Sequence, residues 1–208
     1  MTDTGRRRLG RPPLVENRRQ SILDSAARQF AEVGFEKTSL RELAAAMGVS
    51  KATVYHYFQT KQEIYDAIIV DALRGLAVSV EAALDGVTGA EARLRVFMTA
   101  QGDFFERHYW FFVTMLIGLG GMHSADMRAE ALLWRRRHEG TLRAIIRDGV
   151  AAGELRPVDP AVTGRAVLSM LNWMVRWYRP GGPQTAAAIA ADYHDLLVRG
   201  LRPAAEPS

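Results

Sequence analysis

Apolar positions along this chain recur at three- and four-residue steps, the spacing of one face of an α-helix, and no convincing strand alternation interrupts them. Ile22, Leu23, Ala26, Ala27 and Phe30 mark a first helix over about 18–32. Leu40, Leu43, Ala44 and Met47 mark a short second one over 39–47, and Val54 with Phe58 a third over 51–58. Ile64, Tyr65, Ile68, Ile69, Leu73 and Leu76 then run without proline over 62–84, a helix of roughly 34 Å at 1.5 Å per residue. Glycine and proline clusters separate further helices over 90–107, 109–119, 125–152, 159–178 and 183–201. The pattern predicts an all-α chain.

The segment 38–61, TSLRELAAAMGVSKATVYHYFQTK, carries the most information. Ser39 with Glu42 three residues later is a capping box, so the entry of the second helix is specified locally. Gly48 ends that helix, because glycine takes a left-handed turn at low steric cost. Val49 plugs the corner and Ser50 caps the next helix. Two short helices joined by a tight glycine turn form a helix-turn-helix. Val54 and Phe58 face inward, which leaves Lys51, Ala52, Thr53, Tyr55 and His56 on or near the outer surface. Such side chains suit a major groove about 12 Å wide, where they meet phosphates and base edges. Tyr57 reads equally as a DNA contact or as a cover for the small core. Arg41, on the preceding helix, and Lys61 are further base or phosphate candidates. Ser39 would present its helix N-terminus to a phosphate.

Charge agrees with this division. The net charge is +4 overall, yet residues 1–61 hold eleven Lys and Arg against six Asp and Glu, whereas the remainder is slightly acidic. Positive charge thus lies with the helix-turn-helix, as phosphate neutralisation requires. Residues 1–17, with Arg6, Arg7, Arg8 and Arg11 among glycines and prolines, read as a flexible basic arm. It either reaches a neighbouring minor groove or adds only non-specific affinity. Three regions follow: the arm 1–17, a DNA-binding domain 18–61, and a second domain 62–208.

Several classes drop out. Without cysteine there is no disulfide framework, thiolate nucleophile or Cys-ligated zinc. The N-terminus has no apolar core after its arginines, and the most apolar stretch, 109–122, is short of a bilayer span. A soluble, cytoplasmic protein without a membrane partner is expected. The histidines (His56, His108, His123, His138, His194) are scattered with no metal-ligand spacing, and no nucleophile elbow or nucleotide-binding glycine motif occurs. No enzyme activity, cofactor or metal is expected.

The leading helix RQSILDSAARQFAEVGF, the helix-turn-helix, Tyr55, Tyr57-Phe58 and Lys61 together resemble the TetR family of one-component transcriptional regulators. The resemblance covers roughly the first third of the chain. It implies a three-helix DNA-binding domain followed by a helical bundle that binds a small effector and dimerises. The partners would be double-stranded DNA with an inverted-repeat operator, a second copy of the chain, and the effector. A segment over 172–182, NWMVRWYRPGG, is similar to a TetR-type branch that includes regulators of fatty-acid, steroid and aromatic-acid breakdown, many of which respond to acyl-CoA thioesters.

The residues bear on each implied role. Phe104, Phe105, Tyr109, Trp110, Phe111, Met115, Met122 and Trp134 supply an aromatic and methionine load that suits an apolar cavity or an ordinary core. Arg137, in the run 135–137, is a candidate for an acidic effector group, and Trp173 and Trp177 join the candidate lining. Val162, Ala166, Val167, Met170 and Met174 form one stripe, and Ile189, Tyr193, Leu196 and Leu197 another. The two stripes from each subunit could form an isologous four-helix interface, or serve the subunit's own core. The expectation is a homodimeric repressor that an effector, apolar or acyl-CoA-like, releases from DNA. The alternative is a DNA-binding regulator or architectural protein with no effector.

Overall fold

The computed structural model describes residues 14–201, and all regular structure among them is helical. The chain packs as two compact units that divide between Ile64 and Tyr65. The expected arm lies outside the described residues up to residue 13; from Leu14 the chain is already helical, four residues earlier than expected. Proline is well tolerated in a first helical turn, so the pair Pro12-Pro13 just ahead does not oppose that start.

The first unit holds three helices: α1 (Leu14–Glu32), α2 (Leu40–Ala46) and α3 (Lys51–Tyr57). It also takes the first turn of α4 (Lys61–Leu84). Ile22, Leu23, Ala26 and Ala27 of α1 are fully buried with Leu43, Val54 and Ile64, so the core uses the faces that the periodicity marks. Phe30 and Phe35 meet edge to face at 5.2 Å. Gly48 sits at φ +64°, and the amides of Gly48 and Val49 bond back to the carbonyls of Ala45 and Ala44, closing α2 as a left-handed cap does.

The second unit is a helical bundle. After α4 come α5 (Ala90–Arg107), α6 (Tyr109–Gly118), α7 (Ala125–Ala151), α8 (Pro160–Trp173) and α9 (Ala186–Leu201). Single 3₁₀ turns follow α6 (Leu119–Gly121) and α8 (Met174–Arg176). Helix α5 is central, packing on α6, α7, α8 and α9. It approaches α9 closely enough that a Cβ on Gly102 would lie 2.6 Å from the Ala186 carbonyl oxygen. Buried Leu94, Phe97, Phe105, Phe112, Leu142, Ile145, Val167 and Leu171 fill the middle. Carboxylates from neighbouring helices accept the helix-start amides: Asp66 takes that of Ser124 at 2.9 Å and Glu106 that of Ala186 at 2.8 Å. Among the described residues no helix is long and apolar enough to cross a membrane, and no group of side chains could hold a metal ion.

Candidate nucleic-acid interface and effector cavity

Local chemistry builds the helix-turn-helix. The Ser39 hydroxyl accepts the Glu42 amide at 3.2 Å and the Glu42 carboxylate accepts the Ser39 amide at 2.8 Å. These bonds to Ser39 hold the Glu42 carboxyl below its ordinary range. The Ser39 N–H is therefore occupied, and a carboxylate already sits at the start of α2, so that helix end is a poorer phosphate seat than expected. At the next helix the Ser50 hydroxyl accepts the Thr53 amide at 3.1 Å and pairs with the Thr53 hydroxyl at 2.8 Å. Ser50 and Thr53 thus cap and order α3.

Outside this frame, Arg41, Lys51, Ala52 and His56 are exposed, and Thr53, Tyr55 and Tyr57 half-buried. The Lys51 ammonium lies 5.0 Å over the Tyr55 ring and the His56 ring meets Tyr57 edge to face at 5.0 Å. Ser39, Arg41, Lys51, Tyr55 and Lys61 line a shallow concavity of about 560 Å³ together with Gln59 and Thr60. Ser50, Ala52, Thr53, His56 and Tyr57 lie outside it. Lys61 serves the fold itself, because its ammonium donates to the carbonyls of Phe35 at 2.9 Å and Glu36 at 3.2 Å and sits 4.4 Å over the Phe35 ring. It is a strut of the first unit more than a free cation. Gln59 was not foreseen; its side chain donates to the Tyr55 carbonyl at 2.8 Å and braces the end of α3.

The second unit holds a cavity of about 350 Å³, and its walls differ from those expected. Leu73 and Leu76 of α4 with Met115 and Leu116 of α6 form an apolar side. The other side is polar: Gln101 of α5, Arg135, His138 and Glu139 of α7, and Arg165, Ser169 and Asn172 of α8 beside Leu168. Of the expected lining only Met115 is present. Phe104, Phe105 and Met122 are buried in the core, and Tyr109, Phe111 and Trp134 pack partly buried against it. Trp110 is half-buried and meets Tyr109 edge to face at 4.9 Å. Arg137 is committed elsewhere, with a two-pronged pair to Glu81 at 2.6 and 2.7 Å and its guanidinium 5.2 Å over the Trp134 ring. Trp173 and Trp177 are exposed and do not line this cavity.

A hydrogen-bonded chain crosses the polar wall. His138 Nε2 lies 2.9 Å from Gln101 Oε1, and Gln101 Nε2 donates to Asn172 Oδ1 at 3.0 Å. His138 is 6% exposed and stacks on Phe97 at 4.7 Å. Burial pushes its pKa down to about 4, so it is neutral near pH 7. Its Nδ1 has no partner among the described residues. Gln101 and His138 each interrupt an otherwise apolar buried stripe, Leu94–Phe97–Met98–Phe105 on α5 and Ala131–Leu142–Ile145 on α7. That interruption is the sequence signal that would have found them, since a buried polar residue is more informative than a buried aromatic one.

The candidate interface stripes also divide. Val167, Met174 and Ile189 are buried within the protomer's own core and are not available to a partner. Val162, Ala166 and Leu196 are exposed, with Met170, Tyr193 and Leu197 half-buried.

Comparison with known proteins agrees with both units. Residues 22–68 match the model described as bacterial regulatory proteins, tetR family, and residues 87–201 the tetracyclin repressor-like C-terminal domain. The repressor KstR2 of Mycobacterium tuberculosis is 26% identical over 189 residues, covering 90% of this chain and 94% of that protein. Among solved structures, PfmR of Thermus thermophilus, a TetR family transcriptional regulator, has 50% identity and a TM-score of 0.81 over 88% of this chain and 99% of its own. AibR, solved in complex with isovaleryl coenzyme A and operator DNA, has 28% identity and a TM-score of 0.75 over 89% and 98%. The chain is a DNA-binding regulator, not an enzyme, and it belongs to the TetR family.

Proposed function

We propose that the protein is a homodimeric, effector-responsive transcriptional repressor of the cytoplasm that binds an inverted-repeat operator and leaves it when a thioester occupies the cavity. The observation that carries this reading is the pairing of two built sites in one chain: a locally capped α2–α3 motif with exposed cationic side chains, and a two-faced cavity in the second unit. Arg41 and Lys51 meet phosphates, while Ala52, Thr53, Tyr55 and His56 face base edges. Helix α4 leads out of the first unit and supplies Leu73 and Leu76 to the cavity, so a ligand there acts on the element that leads to the DNA reader. A ligand that binds the released conformer better than the bound one shifts the equilibrium, and no other coupling is needed.

The exposed apolar residues supply the dimer contact. On α8, Val162, Ala166 and Trp173 follow one another at i, i+4 and i+11 and form one stripe, which directly borders the cavity-lining stripe of Arg165, Ser169 and Asn172. Val162 is 57% exposed, Trp173 63% and Leu196 65%, a costly arrangement for a lone subunit. Two-fold docking of α8 and α9 would cover them and set two α3 helices about 34 Å apart, one DNA turn. The likeness to AibR, solved in complex with isovaleryl coenzyme A and operator DNA, supports a coenzyme A thioester as the effector class. A cavity of about 350 Å³ is at the small end for ligand sites and takes the acyl part, leaving the nucleotide end outside, near the exposed Arg135 and Arg165. Selection from a random duplex pool tests the DNA half directly. Recovery of an inverted repeat whose half-sites lie one helical turn apart supports it, and recovery of a single half-site or of no motif refutes it.

A further inference from the structure

The polar wall has a defined direction of hydrogen bonding, and that direction says which kind of group a ligand must bring. His138 is neutral, so one ring nitrogen carries hydrogen and the other a lone pair. A proton on Nδ1 would be a buried donor with no acceptor, the costlier of the two orphans. The proton therefore sits on Nε2 and is donated to Gln101 Oε1. Gln101 then has only its amide hydrogens to offer, and gives one to Asn172 Oδ1. The Asn172 carbonyl is occupied, and what remains for the cavity is its Nδ2 group, which has no partner among the described residues. Arg165, whose charge acts on the Asp159 carboxyl at the helix start, and the Ser169 hydroxyl line the cavity on the same face of α8 as Asn172. From Arg165 to Asn172 is two helical turns, roughly 10 Å. Across the cavity, Leu73, Leu76, Met115 and Leu116 offer only apolar surface.

We infer that the effector's acyl part carries an acceptor oxygen, a ketone or a second carboxylate, which the Asn172 side-chain amide holds while the opposite edge of the chain lies on the α4–α6 leucines and methionine. A saturated alkyl chain would leave the Nδ2 donors without a partner once water is displaced, a cost that separates oxygenated from plain acyl groups of equal length. His138 and Gln101 are positioning residues: they do not hold the oxygen, but they fix which end of Asn172 faces it.

This inference rests on the thioester reading above, and the test keeps the two apart. Binding of alkanoyl, oxoalkanoyl and dicarboxylic monoacyl coenzyme A thioesters (pentanoyl, levulinyl and glutaryl, then longer homologues) is titrated by calorimetry against the full-length protein. The oxygenated members are expected to bind about tenfold or more tightly than the alkanoyl member of the same length. In Asn172→Leu that ratio should fall toward one. In Asn172→Asp, which keeps the size but turns an acceptor to the ligand, the dicarboxylic member should lose most. Operator binding without effector serves as the folding control for both variants. Equal or tighter binding of the alkanoyl series to the wild type overturns the inference and leaves the thioester reading standing, as does a preference that survives Asn172→Leu. If no thioester of any length binds, the thioester reading itself fails.

Discussion

Replacing His138 with glutamine separates the buried histidine's titration from everything else in the fold. In the folded protein burial puts its pKa at about 4, against 6.5 for an unburied histidine. Because the folded value is the lower one, the unfolded chain takes the proton first. The stabilisation that comes from burying a neutral ring is complete above about pH 6.5 and is lost as pH falls toward 4. The full gap corresponds to about 3 kcal/mol, of which roughly 2 kcal/mol should be gone by about pH 5. Urea unfolding of both proteins at about pH 7.5 and 5 reads this directly. The wild type should lose roughly 2 kcal/mol more than His138→Gln over the interval, with unchanged m-values. Other groups move the same way: the carboxyls of Glu42, Asp159 and Asp195 are held low, chiefly by hydrogen bonds from Ser39, the Val162 amide and His194 respectively, and they also favour the fold less as pH falls. They are common to both proteins and cancel in the comparison. Parallel loss of stability in the two would mean that His138 is not buried neutral, and the directed hydrogen-bond chain to Asn172 would fall with it.

Other outcomes follow from single contacts. Arg41→Ala and Lys51→Ala should each weaken operator binding by a similar factor for all sequences and flatten the salt dependence by about one unit of slope, measured by anisotropy at several salt concentrations. Tyr55→Ala should weaken operator binding while sedimentation still shows a dimer; wild-type affinity would remove Tyr55 from the reading face. Ser39→Ala removes the hydroxyl arm of the capping box and should cost about 1 kcal/mol in thermal unfolding. Gly102→Ala forces a methyl group within 2.6 Å of the Ala186 carbonyl oxygen and should destabilise the second unit by about 1–3 kcal/mol. Leu196→Glu, at a site 65% exposed, should leave the fold intact and shift sedimentation to the monomer.

The helix-turn-helix was legible because its determinants are local. Ser39 and Glu42, Gly48 and Ser50 each act within a few residues of their partners, and the bonds they make need no distant element. The cavity was not legible, for a physical reason. Phe104, Phe105 and Met122 advertise apolar volume, and volume is consumed by a well-packed core before it is left for a ligand. The polar members, Gln101, His138, Arg165 and Asn172, come from three helices whose mutual rotation no periodicity fixes. Arg137 and Arg135 show the same limit. They are two residues apart, yet one is locked to Glu81 while the other reaches the cavity wall. On α8 the stripe was legible but its division was not: Val167 and Met174 turn inward, Val162 and Ala166 outward. The helix also stops at Trp173, five residues early, where a 3₁₀ turn lets Tyr178 fold back to meet Phe105 at 5.2 Å.

The most direct test of an effector-released repressor is thermodynamic linkage. Operator affinity is measured by fluorescence anisotropy with and without a saturating thioester, and thioester affinity by calorimetry with and without operator. The expected result is that the thioester weakens operator binding and that operator weakens thioester binding by the same factor. Operator affinity that stays the same while a thioester demonstrably fills the cavity would contradict the proposed function.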